Sequence, residues 1–255
     1  MRRKYVGRFI FRVAVFLAVG ALAVFDPEAF GVMEPGGFFS RFSLLHVLWV
    51  IWIGDMVLKL FPVPGTLALG AAKQLGPFYV PAKSPPGKEE IRAYFADQNR
   101  RALQVFGAWT VLGAAIAFLW GQGFLGNQGL LLIAVFFYVC DLFCVLFWCP
   151  FRSWFLKNRC CTTCRIFNWD HLMMVTPLVC INSFYCRSLV VGAVFVLAVW
   201  EYRVFHDSER FFEGTNEALK CKNCTDLLCG KRMGSRVGKE NRRKTDEGSG
   251  EFFRQ

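Results

Sequence analysis

The sequence is poor in charge and nearly without histidine. Charged residues are 19% of the 255, and histidines number three, His46, His171 and His206. A soluble domain of this size carries about 25% charge, so the shortfall argues against an ordinary water-soluble surface. Three histidines spread along the chain argue against a b-type haem, which needs two at the same depth on facing helices, and against a histidine-rich metal site. No nucleophile elbow, phosphate loop or zinc-protease helix is present, so the common signatures of hydrolases and nucleotide-driven enzymes are missing. No internal repeat is evident either.

Apolar and aromatic residues fill the gap. Hydrophobic residues reach 55%, with 28 Phe and 8 Trp. Apolar runs recur at close to the ~20 residues a helix needs to cross a hydrocarbon core. The fold expected is therefore all-α, a polytopic helical membrane protein of about six transmembrane helices with a cysteine-rich cytoplasmic face. The spans fall near residues 9–25, 42–61, 102–120, 130–148, 166–185 and 188–205. The first follows Arg2, Arg3, Lys4 and Arg8, and reads as a retained anchor, with a cleavable signal peptide as the alternative. Asp26 to Arg41, rich in Gly and Pro, reads as an outside loop, and 62–87 as a Pro- and Gly-rich connection. From Lys88 one helix is expected to run along the interface and then enter the membrane as the third span. Trp49, Trp52, Trp120 and Trp148 fit interfacial anchoring and packing.

Leu172 to Phe205 is too long for one crossing, and a turn near Asn182 to Ser188 with Arg187 at its tip makes two. The basic residues favour this count. Cytoplasmic segments receive four in residues 2–8, six in 62–101, four in 152–165 and twelve from Arg203 onward. Only Arg41 and Arg187 fall outside, and Arg12 and Lys59 lie within spans. Five spans would put the twelve basic residues of the tail on the wrong side. Residues 1–205 thus form the bundle and both termini are cytoplasmic. Residues 206–230 form a helix end and a cysteine knuckle, with Glu201 to Leu219 continuing the last helix, and 231–255 form a disordered basic tail. The positive charge suits the surface of an anionic lipid bilayer, and no nucleic-acid recognition module accompanies it.

This topology places seven of eleven cysteines in the cytoplasm: Cys149, Cys160, Cys161, Cys164, Cys221, Cys224 and Cys229. Thiols there are kept reduced, so Cys161-Thr-Thr-Cys164 and Cys221-Lys-Asn-Cys224 point to a metal rather than to disulfides. Two such turns complete a tetrahedron of sulfurs, and neighbouring Lys and Arg favour thiolate. An iron–sulfur cluster uses most of the seven and is the first reading; zinc is the alternative, and thiol or lipidation chemistry without metal is the third. Cys140 and Cys144 share a helical face, which suits packing, while Cys180 and Cys186 lie near the fifth span.

Asp141 stands alone in the fourth span and calls for a partner inside the bundle. Asp55 and Lys59, one turn apart, are expected to pair with each other. Asp170-His171 has the makings of an oriented histidine. Asp141, Asp170 and His171 are the catalytic or proton-handling candidates. The function expected is membrane electron transfer between a soluble cytoplasmic redox protein and a quinone-like acceptor. A non-enzymatic scaffold or assembly factor with structural zinc is the alternative, and a lipid-directed enzyme the third.

Overall fold

A computed structural model of the chain describes residues 2–61, 79–158 and 164–223. The main helices are α1 (Arg2–Phe25), α2 (Leu45–Leu60), α3 (Lys88–Gly121), α4 (Asn127–Leu146), the short α5 (Asp170–Val175) and α6 (Phe184–His206). Among the described residues there is no strand, only an isolated bridge between Pro81 and Asn216. Four helices, α1, α3, α4 and α6, are long and apolar enough to cross a membrane. Their outward surfaces are apolar too. Leu17, Val111, Phe118, Val191 and Phe195 are all more than half exposed, a pattern suited to lipid and costly in water.

Side-chain contacts fix the direction of each helix. Phe9 meets Phe147 at 5.7 Å and Phe16 meets Phe136 at 6.1 Å, so α1 and α4 are antiparallel. Trp109 on α3 packs at a tilt against Phe137 at 4.9 Å, and Trp120 donates to Asn127 at 3.1 Å, which makes α3 and α4 an antiparallel hairpin. Gly123, at φ +79, closes that hairpin in a conformation that glycine adopts without strain. Helices α2 and α6 run parallel. The Tyr185 hydroxyl donates to the Leu45 carbonyl at 3.1 Å, and Trp49 donates to Ser188 at 2.8 Å. The long helix Lys88–Gly121 is continuous, as the sequence suggests.

Residues 166–185 depart from the single span expected. They form a 3-10 turn (Phe167–Trp169), α5, a second 3-10 turn (Thr176–Cys180) and a bend at Ile181 to Ser183. Pro177 has no N–H to give to the preceding turn, and Thr176 returns its hydroxyl to the Leu172 carbonyl at 2.8 Å. Both loosen an α-helix. The broken segment is nonetheless core, since Val175 and Leu178 are wholly buried. It runs alongside α3, with Trp169 near Phe106 and Thr176 accepting from Trp109 at 3.0 Å. Successive passes therefore alternate in direction, and the start of α1 and the end of α6 share one end of the bundle, here called the basal end.

The distal end is closed by residues expected to be loop. A 3-10 helix (Pro27–Met33) and one helical turn (Gly37–Ser40) fold over it, burying Phe30, Val32 and Met33. Gly37 lies so close to Gly31 that a Cβ would sit 1.9 Å from its carbonyl oxygen. Burial of the apolar residues explains the order there. Beyond α6 the predicted helical extension to Leu219 does not form. The helix ends at His206, where Asp207 leaves helical geometry, and two 3-10 turns follow at Ser208–Phe211 and Glu217–Leu219. Arg187 sits in the first turn of α6 rather than at the tip of the bend.

Candidate functional site at the basal end

The cysteine loop begins where α4 stops. Phe147 caps the helix, its N–H bonding the Phe143 carbonyl at 2.9 Å, and Pro150 starts a π-helical turn over Phe151–Leu156. Cys149 lies in this break and is buried. Its sulfur receives a hydrogen bond from the Arg152 N–H at 3.4 Å. The Cys144 thiol, near the end of α4, is the main influence that lowers the Cys149 thiol to about 6. Burial opposes it, and the amides of Arg152 and Phe151 and the Arg152 charge assist it. Such a thiol is substantially thiolate near neutrality.

Cys164 is also buried, and its neighbour positions it. The Arg165 guanidinium forks onto the Glu201 carboxylate near the end of α6, with one bond of 2.6 Å, and its Nε donates to Asn99 of α3 at 3.0 Å. Trp169 donates to the same carboxylate at 2.7 Å. A buried two-pronged pair of this kind is strong and directional. It ties the cysteine loop to α3 and to the base of α6 at one point.

The segment after α6 is pinned to the same end. The Glu217 N–H donates to the Val80 carbonyl at 2.8 Å, the Ala82 N–H donates to Thr215 at 2.9 Å, and Phe212 packs on Tyr94 at 4.3 Å. Hydrogen bonds from Lys220 and Lys222 hold the Glu217 carboxyl below its ordinary range. Cys221 opens the short 3-10 turn Cys221–Asn223 directly beyond this anchor. Of the seven predicted ligands, Cys160, Cys161, Cys224 and Cys229 lie outside the described residues. Among the described residues no group of three or more His, Cys, Asp or Glu is placed to hold a metal.

Cys149 and Cys164 both open onto one cavity of about 360 Å3. Cys140 and Cys144 line it from α4, so the pair expected to serve packing borders the site. Trp109, Phe137, Phe167 and Met173 supply apolar wall, and Asp141 and Asp170 its carboxylates. Volume and lining fall within the range of small-molecule sites.

The ionisable residues pair across helices rather than along them. Asp141 finds Arg12 on α1 at 2.7 Å, and the same guanidinium donates to the Tyr138 carbonyl at 2.7 Å and lies over its ring. The Tyr138 hydroxyl donates to Asp55 at 3.0 Å, while Lys59 pairs with Asp170. The expected Asp55–Lys59 pair is thus replaced by two interhelical contacts. A pair one turn apart is worth only a few tenths of a kcal/mol, and a buried ion gains more from a partner that a neighbouring helix holds fixed. Asp170 also bonds the buried His171 at 3.2 Å. Three carboxylates (Asp55, Asp141, Asp170) face two cations (Arg12, Lys59) among these contacts, and His171 adjoins them through Asp170.

Two distal residues complete the placement of the candidates. His46 accepts the Ser43 N–H and donates to the Phe38 carbonyl at 2.9 Å, a wholly structural role. Cys186 is buried at the start of α6 with its N–H on the Ser183 hydroxyl. Sequence reasoning missed Arg165, Glu201 and Tyr138. Arg12 was visible as a cation inside a span, which was the available signal for the partner of Asp141. Comparison with known protein families, with characterised proteins and with solved structures finds no match to this chain.

Proposed function

We propose that the protein is a six-span membrane protein with both termini in the cytoplasm, whose basal end carries a cysteine-ligated metal centre for electron transfer. The ligands come from Cys149, Cys160, Cys161, Cys164, Cys221, Cys224 and Cys229, and an iron–sulfur cluster is the centre this many thiolates suit. A soluble redox protein delivers electrons at the basal surface, and a quinone-like molecule in the bilayer receives them. Asp170 and His171 handle the accompanying protons, with Asp141 nearby. The observation that carries this reading is the Arg165–Glu201 clamp. It holds Cys164 at the foot of α6, the helix whose continuation leads to Cys221. Alternating passes support the count of six, and the basic residues favour the cytoplasm for the basal end.

A second reading, a scaffold with structural zinc, draws on the same clamp and needs only Cys161, Cys164, Cys221 and Cys224. Metal analysis of the purified full chain separates the two. Iron with sulfide and absorption near about 400 nm supports the cluster. One zinc per chain without colour supports the scaffold. Protein lacking both overturns the metal centre. Cys161→Ser and Cys224→Ser are each expected to lose the metal, and Cys140→Ser to keep it.

A further inference from the structure

Three buried polar atoms around the Arg165–Glu201 clamp have no hydrogen-bond partner. They are Gln98 Oε1 on α3, Asn168 Oδ1 in the turn before α5, and Trp200 Nε1 on α6. Gln98 and Asn168 are each 6% exposed and Trp200 is 1% exposed. Native interiors leave few such groups unserved, because burial removes the solvent that would otherwise bond them. All three residues line one cavity of about 20 Å3, and a single water needs about 10–15 Å3 measured in the same way. The space thus holds one water and little more. Glu201 lines it as well, and its side chain, 25% exposed, stands between the cavity and the surface.

We infer that this cavity is a binding site for a single water molecule that joins α3, the broken segment and α6. The water accepts the Trp200 N–H and donates its two protons to Gln98 Oε1 and Asn168 Oδ1, so that all three atoms are served at once. No simple ion does the same. A cation would face the Trp200 N–H, and an anion would face two amide oxygens and the Glu201 carboxylate. Arg165 and Cys164 share the wall of the cavity, so water and clamp act on the same loop. The clamp fixes that loop to α3 and α6 by charge, through Asn99 and Glu201. The water fixes the same elements by neutral hydrogen bonds. It requires no metal at Cys164 and stands apart from the proposed function.

In the experiment the full chain in detergent receives short X-ray pulses, which turn bound water into hydroxyl radicals in place. Oxidised side chains are then mapped by mass spectrometry. Trp200 is expected to be oxidised despite its burial, and to take up label slowly when the solvent is changed to heavy-oxygen water. Tyr185, just as buried but with its hydroxyl already bonded to Leu45, is the control and is expected to stay unmodified. Gln98→Leu removes an acceptor and fills part of the space, so Trp200 oxidation should fall to the level of Tyr185. Asn168→Leu should do the same, and is the variant to use if a rise at Tyr185 reports that the first has unfolded. Trp200 that stays unmodified in the wild-type chain overturns the water, as does oxidation unchanged in a folded variant. Oxidation that appears only when chloride is withheld overturns it too, because the occupant is then an anion.

Discussion

The two ends of the bundle are built from different materials. At the distal end, Phe38 packs on His46, Trp49, Phe184 and Tyr185 at ring distances of 4.7 to 6.3 Å, and neutral hydrogen bonds join Tyr185 to the Leu45 carbonyl and Trp49 to Ser188. Among the described residues no ion pair lies at that end. At the basal end the contacts are ionic, as in Arg12 with Asp141 or Lys59 with Asp170, and cysteines border a cavity. An apolar plug holds helices together, whereas an end lined with charge and thiols is the place to look for chemistry.

Breaking the Arg12–Asp141 pair should have the largest effect. Arg12→Ala leaves a carboxylate inside the bundle without its cation, at a cost of about 3–5 kcal/mol. Thermal unfolding in detergent should show it, and adding Asp141→Ala should restore much of the loss. Next is the clamp. Glu201→Gln keeps the size but removes the charge, and is expected to cost about 1.5–3 kcal/mol as a charged hydrogen bond is lost. It should also weaken metal retention, read as metal per chain after dialysis against a chelator. At the distal end, Tyr185→Phe should cost only about 1 kcal/mol and leave metal and thiols untouched. If it disturbs the metal as strongly as Glu201→Gln, the division between the ends is wrong.

The smallest effect concerns acidity. Because the Cys149 thiol is lowered to about 6, its thiolate is present above that pH and is lost as pH falls through it. Alkylation of Cys149 should rise through pH about 6. In Cys144→Ala that influence is gone, so the rise should move up toward the ordinary thiol range near about 8.5. Peptide mapping across a pH series measures both curves.

Much of the architecture was legible in the sequence, because apolar length alone picks out α1, α3, α4 and α6. The breaking of 166–185 was less so. Pro177 was visible, but its effect depends on Thr176 turning back on Leu172 and on Trp109 holding it there. Residues 26–41 looked like loop because Gly and Pro dominate them, yet Val32 and Met33 find a core to fill. Partner choice was the least legible. The cost of a lone carboxylate in a span shows that Asp141 needs a partner, whereas its cation comes from a helix 129 residues away in sequence. Arg165 and Glu201 looked like ordinary basic-loop and helix-end residues, and only the fold brings them together.

The central claim is that the cysteines before and after the final hairpin share one aqueous compartment. Membrane-impermeant labelling of single reporter sites beside Lys4 and in the C-terminal tail tests it directly in intact cells. Both sites should resist the reagent until the membrane is permeabilised, and then label together. A tail site that labels in intact cells while the Lys4 site stays protected would part the two cysteine groups and contradict the account.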